Sequence, residues 1–320
     1  MNNSFKIIES EIKQFEVIFR DAVKSNVPLL DRILKYIVKT KGKQLRPMFV
    51  MLSAKLCGGI NEGTYRAASL VELLHTATLL HDDVVDESDE RRGFFSVPAL
   101  WKNKASVLIG DYLLAKGLLL SLENKDFQIL AILSNAIQKM SEGELLQLEK
   151  SRLLNIKEED YFTIIRNKTA SLVASACASG AYSASQDEEM TEKMRAFGEA
   201  VGIAFQIKDD LFDYGTEDVG KPTGNDIREK KLTLPLIFTL EKVDKQTRRE
   251  LIYIIKNKHK SRSDIDTVIE HVKQAGGIKY TEEKMEYYKH VALEILAGFP
   301  DSETKDALSE LVRYTTERKK

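Results

Sequence analysis

Two aspartate triplets stand out by their spacing. Asp82, Asp83 and Asp86 in "LLHDDVVDESDERRG" (Leu79–Gly93) and Asp209, Asp210 and Asp213 in "FQIKDDLFDYG" (Phe205–Gly215) both read DDxxD. On a helix, residues four apart share a face, so the outer carboxylates of each triplet aim at one region with the middle one alongside. Unpaired, that arrangement repels itself. An isolated DDxxD reads first as a solvated acidic helix end, but here the pattern occurs twice, each time at the end of an apolar helix such as "ASLVELLHTATLL" (Ala68–Leu80). Clustered, short-stemmed carboxylates leaving a buried helix suit Mg²⁺, a hard ion that takes oxygen ligands and usually binds through a few carboxylates together with substrate phosphates. The predicted chemistry is a metal and diphosphate cage.

Basic residues fit the same reading. "KGKQLRP" supplies Lys43 and Arg46, "DERRG" supplies Arg91 and Arg92, "RNKTA" supplies Lys168 and Thr169, and "VGKPTGNDIREKK" supplies Lys221, Arg228, Lys230 and Lys231. Arginine meets a diphosphate bidentately and lysine as a point charge. Singly each is a surface residue; grouped with Gly and Pro beside two acidic clusters, they read as diphosphate clamps. His75, on the apolar helix, would alone read as a core histidine, yet it lies about two turns before Asp82 and within reach of the same cavity.

The elements that position these groups are helices. Only six prolines in 320 residues, few alternating β-branched runs and long stretches of apolar residues at three- and four-residue spacing predict an all-helical fold with almost no strand. "CGGINEGT" (Cys57–Thr64) and "QAGGIKYTEE" (Gln274–Glu283) each end one helix and open the next. "TASLVASACASGAYSAS" (Thr169–Ser185), rich in Ala, Ser and Gly, reads as a helix built for close packing. No linker-like stretch divides the chain, so one domain over residues 1–320 is expected. Acidic and basic residues nearly cancel, 49 against 48, which argues against a nucleic-acid or lipid surface held by bulk charge. The isolated Cys57 and Cys177 suit a reducing, cytoplasmic setting, and no signal-peptide core is present at the N-terminus. The most apolar segment, "ASVLIGDYLLAKGLLL" (Ala105–Leu120), is interrupted by Asp111 and Lys116 and reads as a buried helix, not a transmembrane span.

Taken together, the chain resembles the trans-prenyltransferases, the (E)-polyprenyl diphosphate synthases of isoprenoid chain elongation. The resemblance spans most of the chain through GKQLRP, LLHDDVVDESDERRG, IGDYLLAKG, GELLQ, RNKTA, FQIKDDLFDYGTEDVGKPTGNDIREKKLTLP and AGG, in matching order and spacing. It implies a large all-α bundle of the isoprenoid synthase type around a deep central cavity, the two aspartate motifs facing each other across its mouth, and a homodimer. It also implies roles. Asp82, Asp86 and Asp209 match the Mg²⁺ ligands, with Asp83, Asp210 and Asp213 in supporting positions. Lys43, Arg46, His75 and Arg92 match residues that hold isopentenyl diphosphate; Arg91, Lys168, Thr169, Gln206 and Lys221 match contacts to the allylic diphosphate primer.

The expected reaction is loss of diphosphate from the allylic primer, attack on the cation by isopentenyl diphosphate, and loss of a proton to the released pyrophosphate. Mg²⁺ and the basic residues stabilise the leaving group's charge. No side-chain nucleophile is required, and no persuasive Ser/His/Asp or Cys/His set is present. A terpene cyclase would use a different second metal motif and has no need of Lys43 and Arg46, and a non-catalytic partner subunit tends to lose the aspartates or arginines that are complete here. For product length, Ala77 and Thr78, one turn before Asp82, are small where short-chain members carry aromatic residues. A helix from Asn61 or Glu62 to Asp82 is about 30 Å long, room for about six or seven isoprene units. A long-chain product of about C30–C45, octaprenyl as the single best value, follows from this ruler, with a geranylgeranyl or farnesyl product as the alternative. Such a product would be handed to the membrane.

Overall fold

The computed structural model describes residues 6–40, 42, 44–91, 93–215, 223–257 and 260–318. In chain order its helices are α1 (Glu9–Ala22), α2 (Pro28–Lys39), α3 (Leu45–Cys57), α4 (Glu62–Val85), α5 (Val97–Glu123), α6 (Phe127–Leu153), α7 (Glu158–Ile165), α8 (Ser171–Ser185), α9 (Glu188–Phe212), α10 (Asn225–Arg228), α11 (Leu234–Lys242), α12 (Lys245–Lys256), α13 (Arg262–Gln274), α14 (Gly277–Ala297) and α15 (Glu303–Glu317). A π-helical turn, Arg166–Ala170, joins α7 to α8. The expectation of almost no strand meets one exception, a hairpin of β1 (Glu90–Arg91) and β2 (Phe94–Phe95), paired antiparallel with Arg91 opposite Phe94. Gly93 turns it with φ +77°, a left-handed conformation that glycine adopts without a Cβ penalty. Two residues per strand leave no alternation for a sequence pattern to reveal.

The chain forms two compact units, one of Met1–Ile137, Ser175–Arg195 and Asp301–Leu308, the other of Gln138–Ala174, Ala196–Pro300 and Ser309–Lys320. In the first, α4 packs along α5 and against α3 and α1. It starts where "GGIN" predicts: the Asn61 side chain accepts from the Thr64 amide at 3.1 Å while the Thr64 hydroxyl accepts from the Asn61 amide at 3.2 Å, a capping box. Asn61 also donates to the Ser183 carbonyl at 2.7 Å, which fixes the helix start on α8. Glycines set how closely α5 approaches α4. A Cβ on Gly117 would fall 2.8 Å from Leu70, and one on Gly110 would strike the His81 ring. Helix α5 therefore packs tightly on its inner face, whereas Leu108, Leu118, Leu119 and Leu122 on its outer face are exposed. By length and composition this helix could cross a membrane, with a third of its most apolar window buried.

The second unit has its own apolar core, in which Tyr161, Ile207, Leu211, Tyr214, Leu234, Ile265 and Val268 are all buried. Small residues again set the spacing. Gly202 and Gly198 of α9 lie against the backbone of Ala170 and Ala174, where a Cβ would come within 2.5 and 2.7 Å of their Cα atoms. This is the close packing expected of the Ala- and Ser-rich stretch.

Candidate functional site

The first aspartate triplet ends α4. Asp82 and Asp83 occupy its last turn and Asp86 caps it, with the Asp86 amide bonded to the Asp82 carbonyl at 2.8 Å. The three differ in setting. Asp86 is exposed, Asp82 half-buried, and Asp83 only 3 % exposed. Burying a carboxylate requires a partner, and the hairpin supplies it: Arg91 donates from Nε and from Nη2 to Asp83 Oδ1, each at 2.6 Å. Arg91 shares a small cavity, about 80 Å³, with Tyr36, Gln44, Glu72, His75, Thr76 and Asp83, closed on one side by Phe94 and Phe95. The Tyr36 hydroxyl ties α2 to the hairpin through the Phe95 carbonyl at 2.6 Å. His75, buried in α4, thus meets Asp83 and Arg91 in one pocket. Arg46, half-buried in the first turn of α3, does not line it. Lys43 and Arg92 lie outside the described residues, as does Lys221.

Ala77 and Thr78 take different faces. At roughly 100° per residue, Ala77 falls on the stripe of Leu70, Leu74 and His81, which abuts Gly117 and Gly110 of α5, and it is fully buried. Thr78, half-buried, stands one turn before Asp82 on Asp82's own face.

The second triplet ends α9, and its members also diverge. Asp210, 5 % exposed, accepts from the Tyr161 hydroxyl at 2.7 Å on Oδ2 and from Gln206 Nε2 at 2.8 Å on Oδ1. Gln206 in turn accepts from the Thr169 hydroxyl at 2.8 Å. Asp213 lies one residue past the helix end, as Asp86 does at α4. Its carboxylate accepts from the Asn225 amide at 2.8 Å and the Asp226 amide at 3.1 Å and so holds the start of α10. Asp209, half-buried, receives a hydrogen bond from Arg318 Nη2. Burial drives Asp210 up to about 8, with Asp226 adding to the rise and the Tyr161 and Gln206 hydrogen bonds opposing it. Burial, with Asp213 next in effect, raises Asp226 to about 6.

Lys168 and Thr169 sit inside the π turn. That extra residue per turn, a feature often found at functional sites, is admitted by Gly143, whose Cβ would lie 2.8 Å from the Lys168 amide nitrogen and 2.9 Å from Asn167 Cβ. Helix α6 thereby places Glu144 Oε2 at 2.5 Å and Gln147 Oε1 at 3.1 Å from Lys168 Nζ. A cavity of about 130 Å³ collects Lys168, Thr169, Gln206, Asp210, Asp226 and Lys231. Three of the five residues matched to the allylic diphosphate therefore line one pocket; Arg91 belongs to the pocket around His75.

Neither α4 nor α9 has a basic residue in its last turn. Each places carboxylates at the negative end of its helix dipole, which adds to their mutual repulsion. That donor set fits a hard divalent cation. Among the described residues, no three His, Cys, Asp or Glu side chains converge on one point. Tyr161, Asp226 and Arg318 join the site without having been singled out from sequence. Asp226 stands inside the quoted "GNDIREKK", where its flanking charges could have drawn notice. Tyr161 reads as one more apolar-face residue of α7, and Arg318 as part of a solvated tail.

A family model described as polyprenyl synthetase matches residues 27–272. Octaprenyl diphosphate synthase of Escherichia coli (strain K12) is 33% identical over 300 residues, covering 93% of this chain and 93% of that one. Geranylgeranyl diphosphate synthase of Saccharolobus solfataricus is 32% identical over 312 residues, with 94% of each chain covered. A crystal structure of polyprenyl synthase from Caulobacter crescentus, complexed with calcium and isoprenyl diphosphate, superimposes with a TM-score of 0.91 at 34% identity, covering 100% of this chain and 98% of that one. With the all-α fold of those enzymes and a match over most of its length, the chain belongs to the polyprenyl synthetase family and is a trans-prenyltransferase that makes polyprenyl diphosphate.

Proposed function

We propose that the enzyme condenses isopentenyl diphosphate onto an allylic diphosphate primer, with Mg²⁺, to give a long-chain all-trans product of about C30–C45, octaprenyl best matching the length of α4 at 1.5 Å per residue. The observation that carries the length is the face of α4 leading away from Asp82, where Thr78 and, a further turn or two back, His75 and Val71 stand with no Phe, Tyr or Trp among them. A second reading, a geranylgeranyl product, has support from the 32% identical relative of that activity.

Asp82, Asp86 and Asp209 are assigned to the metal, Lys168, Thr169, Gln206 and Lys221 to the allylic diphosphate, and Lys43, Arg46, His75 and Arg92 to isopentenyl diphosphate. When bound, Mg²⁺ supplies positive charge to the departing diphosphate. Lys168 adds a second cation there, held by Glu144 and Gln147, and Thr169 is aimed by its bond to Gln206. Lys231, in the same cavity, joins this group. Arg91 acts through Asp83, by keeping that buried carboxylate paired behind Asp82. Buried in its pocket, His75 presents a ring to the second substrate's side of α4.

The whole chain acts as one prenyltransferase domain, a reading supported by a single family match that takes in parts of both compact units. The exposed leucines on the outer face of α5 support a homodimer built on that helix. Free Cys57 and Cys177 support a cytoplasmic location, from which the product passes to the membrane. The test is incubation of the purified protein with Mg²⁺, isopentenyl diphosphate and farnesyl diphosphate, followed by chromatography of the dephosphorylated products. Chains of six to nine units are expected on the ruler of about 1.5 Å per residue; accumulation at four units favours the second reading, and no elongation refutes both.

A further inference from the structure

Asp209 meets a cation from its own chain. Arg318, one residue beyond α15, donates to Asp209 Oδ1, and its guanidinium carbon stands 4.1 Å over the Phe205 ring and 5.6 Å from the Phe212 ring. The Arg318 side chain is 17% exposed, far less than a tail residue in water. Its approach is anchored one residue earlier, where Glu317 accepts from Lys289 Nζ at 2.9 Å. The seat is thus built from two sides: a carboxylate for the charge, and two aromatic faces of α9 for the plane of the guanidinium.

The other two carboxylates of the triplet are satisfied differently. Asp210 is held by the neutral donors Tyr161 and Gln206, and Asp213 by two backbone amides. Arg318 therefore adds a full positive charge at the member assigned to the metal. Resting on that assignment of Asp209, we propose that Arg318 is a built-in stand-in for the metal: it neutralises Asp209 in the metal-free enzyme, and a divalent cation must displace it. Because Phe205 and Phe212 do not depend on the metal for their hold, the displaced guanidinium stays beside the cluster, free to meet an anionic oxygen of the substrate.

The test measures metal binding without turnover. Mn²⁺ is titrated into the full-length, substrate-free protein, with free Mn²⁺ followed by its paramagnetic resonance signal, for the wild type, Arg318→Met and Arg318→Lys. Removing the competing charge is expected to tighten Mn²⁺ binding at least about threefold in Arg318→Met, while Arg318→Lys stays nearer the wild type. The metal-free melting temperature of Arg318→Met should fall and its rise on adding Mn²⁺ should grow. A chain ending at Glu317 gives the same comparison should the methionine variant fold poorly. Equal or weaker Mn²⁺ binding in the charge-removed forms overturns the proposal. Asp209→Asn separates the two layers: if it leaves Mn²⁺ binding intact, the metal assignment of Asp209 fails and this inference with it, whereas loss of binding in Asp209→Asn with no effect at Arg318 refutes the stand-in alone.

Discussion

Placing a phenylalanine at Ala77 or at Thr78 should have two unlike outcomes, although the residues are neighbours. Ala77 is completely buried on the stripe of α4 that faces α5 across Gly110 and Gly117. At both glycines even an added Cβ would have to displace a side chain of α4, the His81 ring or Leu70, so a phenyl ring at the fully buried Ala77 must force a larger rearrangement of the two helices. Overpacking of this kind costs about 1–3 kcal/mol and often more, and the melting temperature should drop by at least a few degrees. Thr78 is half-buried and stands on the face of Asp82, about 6 Å from it along the axis at 1.5 Å per residue. A ring there leaves room for about one or two isoprene units beyond those at the head, so products should stop at about three or four units. The assay pairs thermal unfolding of each variant with chromatography of its dephosphorylated products, plus the rate of the first condensation, which occurs above the ring and should change little for Thr78→Phe. If Thr78→Phe folds and still makes the wild-type distribution, the growing chain does not run along this face and the length estimate loses its basis. A clean shortening by Ala77→Phe without destabilisation would show that the assignment of faces is inverted.

Asp82→Ala and Asp209→Ala should each lower turnover at least about hundredfold, a loss on the scale of removing one electrostatic stabiliser, with the melting temperature of Asp82→Ala close to wild type and that of Asp209→Ala lower because Arg318 loses its partner; turnover within threefold of wild type in either variant, on saturating substrates, contradicts the cage. Gly143→Ala puts a methyl against the Lys168 backbone and should cost about 1–3 kcal/mol, displacing Lys168 and raising KM for the allylic primer more than for isopentenyl diphosphate, as steady-state kinetics would record. The metal-free protein should lose stability as pH rises from about 4 toward 8, because Asp210 and Asp226 hold their protons in the fold, up to about 8 and 6, far above the usual 3.8. The folded state then binds more protons than the unfolded one across that window, so raising the pH favours unfolding. Calorimetric melting temperatures that climb between pH 5 and 8 would contradict that sign.

Much of this site was legible in the sequence because its signals are local. The start of α4 follows from "GGIN" and the capping box, and the ends of α4 and α9 are marked by their aspartates. The grouping of Lys168, Thr169 and Gln206 is different: it depends on a π turn, on Gly143 opposite it and on 37 residues of chain between Thr169 and Gln206, and no periodicity encodes it. Lys168 and Thr169 were singled out by their charge and context, Gln206 only through the resemblance, and Glu144 and Gln147 stood inside the quoted GELLQ without a role, whereas Tyr161 looks in sequence like an ordinary residue of an amphipathic helix. The hairpin escaped for a similar reason, since its pairing partner for Asp83 is an arginine whose role depends on a turn at Gly93. Ala77 and Thr78 show a further limit. Adjacent small residues look equivalent in sequence, and only the approach of α5 tells which one fills a helix contact.

The repeated DDxxD conceals a division of labour. In the first triplet the middle carboxylate is neutralised by Arg91 through two contacts at 2.6 Å, a pairing that does not depend on metal. The second triplet gives its middle carboxylate only neutral donors, and burial lifts Asp210 to about 8. Its third aspartate is spent on the start of α10, which carries Asp226 into the cavity lined by Lys168 and Lys231. The same four-residue spacing thus gives one cluster whose buried carboxylate is paired with an arginine and one whose buried carboxyl meets only neutral donors. A divalent cation held at the second cluster would favour the ionised form of Asp210 and so strengthen the hydrogen bonds it accepts from Tyr161 and Gln206. Asp210 at the end of α9 and Thr169 in the π turn are thus joined through Gln206 by two hydrogen bonds, each 2.8 Å long, with Tyr161 donating to Asp210 at 2.7 Å beside them.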